Sequence, residues 1–87
     1  MLKDIVEVAV RPPHKLFIRF EDGVSGEFDV AAATNLAGVF APLRDEAFFA
    51  SVEINRELGA VQWSNGADLD PDVMYASLTG RSVQLAA

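Results

Sequence analysis

Between residues 60 and 72 the chain reads AVQWSNGADLDPD, and here the side chains capable of chemistry are densest. Trp63 offers a flat aromatic face, Asn65 an amide, and Asp68, Asp70 and Asp72 carboxylates at alternate positions. Alternating aspartates open calcium loops, where several oxygens converge on a hard cation. The EF-hand form also needs glycine at its sixth position and a bidentate glutamate at its twelfth. Counted from Asp68, those positions hold Val73 and Thr79. A helix start accounts for two of the aspartates instead. Asp70 suits an N-cap, Pro71 the first helical position, and Asp72 the positive end of the helix dipole. No metal site is predicted.

Asp68 has two readings. Its carboxylate can accept backbone N–H groups in the Asn65-Gly66-Ala67 turn, a common use of aspartate. Alternatively it faces a ligand, with Trp63, Asn65 and Asp68 forming the corner of a small-ligand sensor or enzyme. Alternation directs Trp63 inward, which favours a core anchor over a stacking platform.

Other reactive groups are sparse. The single histidine, His14, follows Pro12-Pro13 in a connection and is expected to face solvent. No nucleophile-elbow motif frames any serine, and no glycine loop opens a helix to cradle phosphate. Gly23-Val24-Ser25-Gly26 has the spacing of a KH clamp, but it lies between strands beside Asp22 and Glu27. With no cysteine, neither disulfides nor thiolate-bound zinc are available. No catalytic residue is assigned and no cofactor is expected.

The elements that must position these residues are read from periodicity. Residues 5–10, IVEVAV, alternate with Val6, Val8 and Val10 on one face and Ile5, Glu7 and Ala9 on the other, the period of a strand. Pro12 and Pro13 end it, since neither can donate to a ladder. Residues 15–20 alternate again, with Leu16, Ile18 and Phe20 inward and Lys15, Phe17 and Arg19 outward. Glu21-Asp22-Gly23 turns the chain into a return strand over residues 24–30. Asp29 and Gly38 bracket an alanine-rich helix. Asp45 caps a short turn carrying Phe48 and Phe49. A second hairpin is predicted near 51–55 and 59–64, with Val52, Ile54, Val61 and Trp63 inward. A last helix runs from Asp70 to Gly80, and residues 82–87 add a short strand or fray. The fold class is α+β in a single domain over residues 1–87: an antiparallel three-strand meander, a second hairpin, and short helices in the middle and near the C-terminus.

Composition narrows the partners. The 87 residues are 51% hydrophobic with a net charge of −6. Residues 1–20 carry +2 and residues 21–87 carry −8. Duplex binding draws its affinity from phosphates neutralised by Lys and Arg. Arg11, Lys15 and Arg19, with Lys3, are thin for that, so no direct nucleic-acid binding is expected. The longest uncharged run, Val30 to Leu43, has 14 residues, short of the ~20 of a membrane-spanning helix. No membrane association is expected, and the cytoplasm is the default location. A protein partner or a homo-oligomer remains, with Phe17 and Arg19 on the outward face of their strand as partner-facing residues.

Taken together, the residues resemble a family of small bacterial domains of unknown function. The resemblance rests on Phe20-Glu21-Asp22-Gly23, then Gly38-Val39-Phe40 with Leu43 and Phe48 or Phe49, then Trp63-Ser64-Asn65-Gly66-Ala67-Asp68-Leu69-Asp70-Pro71-Asp72 and Tyr75. Ser64 stands where the family pattern has proline. The resemblance covers about residues 3 to 78. It implies an α+β fold without an established enzyme activity. Some members are joined to helix-turn-helix DNA-binding domains, and others lie beside small partners in arrangements resembling toxin–antitoxin pairs. A protein-interaction or regulatory module, antitoxin-like, is the expected function.

Overall fold

The computed structural model describes residues 4–80. Strands β1 (Ile5–Arg11), β2 (Lys15–Phe20) and β3 (Ser25–Asp29) form an antiparallel sheet in that order. The chain continues through α1 (Val30–Thr34), a 3-10 helix (Gly38–Arg44) and α2 (Glu46–Phe49). It then forms a second hairpin, β4 (Glu53–Asn55) with β5 (Ala60–Gln62), and closes with α3 (Pro71–Thr79). The α+β class, the meander, the second hairpin and the short helices are as the periodicity predicts. The final segment, 82–87, lies outside the described residues.

Register explains the core. Leu16 pairs with Val10 and Phe28, Ile18 with Val8 and Gly26, and Phe20 with Ile5. Leu16, Ile18, Phe20 and Phe28 are buried together with Ile5, Val30, Leu43, Phe49, Val61, Trp63 and Met74. Simple alternation groups Val6 with Val8 and Val10, but the register shifts between Ile5 and Glu7. One extra residue in a strand reverses which side chains face the core. Ile5 is therefore buried, and Val6 is 37% exposed.

The caps follow the sequence signals with one difference. Asp29, Asp45 and Asp70 each accept a backbone N–H at the start of their helices, and Gly80 ends α3 at φ 76°. The alanine-rich helix does not reach Gly38. The Thr34 hydroxyl donates back to the Val30 carbonyl at 2.8 Å and accepts Leu36 N–H at 3.0 Å. Asn35 and Leu36 then turn left-handed, at φ 57° and 49°. A hydroxyl that offers local bonds of this kind competes with helix continuation.

The two sheets meet where Ile5 N–H donates to the Gly59 carbonyl at 2.9 Å. Gly59 has φ +66°, and a Cβ there would lie 2.8 Å from Asp4 Cα. Both the conformation and the close backbone approach require glycine. Gly59→Ala is expected to destabilise the domain by about 1–3 kcal/mol, measured by urea unfolding. The exposed turn glycine Gly66, also at positive φ but with open space around it, should tolerate alanine at the lower end of that cost.

Candidate functional site

The 60–72 stretch is built by hydrogen bonds that hold its turn closed. Trp63 N–H donates to the Ala67 carbonyl at 2.8 Å, and Gly66 N–H to the Trp63 carbonyl at 3.1 Å. Gln62 bridges to Asp68, so the chain doubles back beside β5. Trp63 is buried, with Nε1 donating to the Phe49 carbonyl at 2.9 Å and its ring centroid 5.7 Å from that of Phe49. Asn65 is exposed, yet both ends of its amide are engaged. Nδ2 donates to the Val39 carbonyl at 2.9 Å, and Oδ1 accepts Ala67 N–H at 3.1 Å. Asn65, rather than Asp68, thus supplies the turn's side-chain acceptor. The Asp68 residue is exposed. The three residues do not converge on a common space: one is in the core, one ties the turn to the 3-10 helix, and one faces solvent.

Phe17 and Arg19 lie on the opposite side of the molecule's meander from the core. Their neighbours across the strands are Ala9 and Glu27 for Phe17, and Glu7 and Ser25 for Arg19. Phe17 is half-buried, with the Arg11 guanidinium 5.3 Å from its ring centroid. An exposed cation–π contact of this kind contributes about 0.5–1 kcal/mol. Arg19 Nε donates to Glu7 Oε1 at 2.8 Å, in a pair whose side chains are nearly half exposed. Such a pair contributes roughly 0–1 kcal/mol and is weakened by salt.

A third feature was not anticipated. His14 does not stand free in solvent: it is half-buried, its ring centroid is 5.2 Å from that of Phe49 in an edge-on arrangement, and Nε2 is buried without a hydrogen-bond partner. It is the third residue of the β1–β2 connection, after a cis Pro12–Pro13 bond, with φ 80°. Left-handed backbone at the end of a three-residue hairpin loop is a known solution, and histidine tolerates it better than most non-glycine residues. His14, Val10, Pro12, Pro13, Glu46, Phe49 and Ala50 line a cleft of about 190 Å³. Two partial signals lie in the sequence: an isolated histidine after paired prolines, and the adjacent Phe48 and Phe49. Among the described residues no group of three or more His, Cys, Asp or Glu side chains could hold a metal ion.

The order of elements that brings these features together, from β1 to the end of α3, is spanned by one family match. The chain belongs to the family described as "Protein of unknown function (DUF2442)", which matches residues 5–80. The family region thus contains both sheets, the Asn-Gly turn, the His14 cleft and the outer face of the meander. No curated protein and no solved structure matches the chain.

The geometry separates the roles of Asn65 and Asp68. Asn65→Ala removes two hydrogen bonds and is expected to cost about 1–2 kcal/mol. Asp68→Ala, an exposed change, should stay within about 0.5 kcal/mol. Denaturant unfolding of both variants under one set of conditions checks the contrast.

Proposed function

We propose that this domain is a protein-interaction module whose partner meets the outer face of the β1–β2–β3 sheet. Phe17 carries the reading. It is a large aromatic side chain at the centre of the sheet's outward positions, and the residues around it on that face are mostly exposed and charged: Glu7, Arg11, Arg19 and Glu27. An aromatic ring flanked by arginine and rimmed by charge has the composition favoured at protein interfaces. Arg19 is paired with Glu7 at 2.8 Å, and Arg11 lies over the Phe17 ring with Glu27 at 3.9 Å, so charges of both signs surround the ring.

The regulatory, antitoxin-like form of this reading is supported by the arrangements the family resemblance implies and by the acidic balance of −6, which suits a basic partner. A second copy of the chain is the alternative occupant. A cytoplasmic location is part of this proposal. Among the described residues no helix is long and apolar enough to cross a membrane. A small-ligand sensor or enzyme at the Trp63–Asp68 corner is the weaker reading, because Trp63 is buried and the Asn65 amide is committed to backbone.

The test is affinity capture of the full chain from native host extract, read by intact-complex mass spectrometry. The wild-type chain is expected to carry a stoichiometric protein companion. Phe17→Asp should lose it while keeping the far-UV circular dichroism of the wild type. A bare wild-type chain, or a companion retained by a folded Phe17→Asp, overturns the reading.

A further inference from the structure

The outer edge of β3 sets backbone donors and acceptors beside acidic side chains. Among the described residues β2 is the only strand next to β3. Two hydrogen bonds that flank their pairing fix its phase: Phe20 N–H to the Val24 carbonyl, and Val30 N–H to the His14 carbonyl. Hydrogen-bonded pairs recur at every second residue of an antiparallel ladder. Gly26 and Phe28, opposite Ile18 and Leu16, therefore turn their N–H and C=O groups toward β2. Ser25 and Glu27 turn both of theirs away from the sheet, and Asp29 its N–H. α3 lies on the inner face, with Leu78 over Gly26, and all three residues of the outer row remain exposed.

An open row of this kind is a template for one more strand. Charge selects which strand. The Glu27 side chain is 53% exposed, and its contact with Arg11 Nε, at 3.9 Å, is too long for a hydrogen bond. Asp29 caps α1 through Oδ1, which leaves lone pairs on its carboxylate. These charges oppose self-pairing: an antiparallel second copy centred on Glu27 sets glutamate directly against glutamate, which is destabilising. They favour a strand with lysine or arginine at alternate positions, because directly opposite residues share a face. Apolar residues between the basic ones then fall on the inner face, beside the half-buried Leu78. We propose that the β3 edge pairs antiparallel with an extended segment of a partner protein carrying basic residues at every second position. This goes beyond the interaction reading: it uses backbone at the sheet's edge and requires no contact with Phe17.

The probe is a synthetic peptide, acetyl-TKVKVKT-amide, titrated into the ¹⁵N-labelled full chain. In the free chain the amides of Ser25, Glu27 and Asp29 are expected to exchange with solvent about tenfold or more faster than those of Gly26 and Phe28. The peptide should give saturable shifts at the three outer amides and slow their exchange. Methylating the backbone nitrogen of its central lysine keeps the charge and removes the donor that meets the Glu27 carbonyl. That peptide should bind about tenfold more weakly or worse. An acidic counterpart, acetyl-TEVEVET-amide, should give no saturable shift at the same concentrations. Glu27→Lys, an exposed change, should weaken the lysine peptide about fivefold or more with the spectrum otherwise that of a folded chain. Phe17→Asp should bind the peptide no more weakly than the wild type, so loss of the captured companion and loss of edge pairing are separate results. Slow exchange of the three outer amides in the free chain shows an edge already occupied and overturns the proposal. So does absence of saturable shifts, shifts confined to other parts of the molecule, equal affinity for the methylated peptide, or wild-type affinity in Glu27→Lys.

Discussion

A single buried hydrogen bond, from the Trp63 indole N–H to the Phe49 carbonyl, sets the arrangement of the molecule's second half. An indole is too large to leave the core without cost, and its N–H cannot be buried without an acceptor. The Phe49 carbonyl at the end of α2 provides one. The bond fixes the exit of β5 against α2, and Phe49 in turn meets Trp63 on one side and His14 on the other. The second hairpin, the short helix and the first β-connection are therefore linked through one aromatic side chain. Changes at Trp63 would be felt at the His14 cleft even though the two residues are not in the same sheet.

Much of the fold was legible because its signals are local. Period-two alternation over residues 5–10 and 15–20, aspartates before each of the three α-helices, and glycine at positive φ all act within a few residues. What the sequence concealed depended on register or on distant packing. The exchange of Ile5 for Val6 on the core face follows from an irregularity in pairing with β2, which no alternation within β1 reveals. Thr34 reads as a helical residue, but its hydroxyl closes the helix early.

The candidate sites divide in the same way. The AVQWSNGADLDPD stretch announces a turn and a helix start, and it is both. Which residue bends back to cap the turn was not legible, because asparagine and aspartate are chemically alike in that role; the spacing of the turn selects Asn65. Trp63 was correctly directed inward by alternation. His14 was assigned to solvent because loops usually are. Its burial arises from Phe49, a residue brought to it only by the path of the intervening helices.

The attachment of α3 bears on how the chain is made. Tyr75 donates its hydroxyl to Asp22 in the β2–β3 turn, across a separation of 53 residues, and Leu78 lies over Gly26. The last helix is thus docked on the first sheet rather than on the hairpin that precedes it. Closing so long a loop carries an entropic cost that only the assembled contacts repay. On the ribosome, the meander emerges well before the helix that covers part of its inner face. Until the elements after β3 are made, Leu16, Ile18, Phe20 and Phe28 lack the Val30, Leu43, Phe49, Val61, Trp63 and Met74 side chains with which they are buried. The interval between synthesis of β3 and of α3 is consequently the period in which this small domain is most exposed to aggregation.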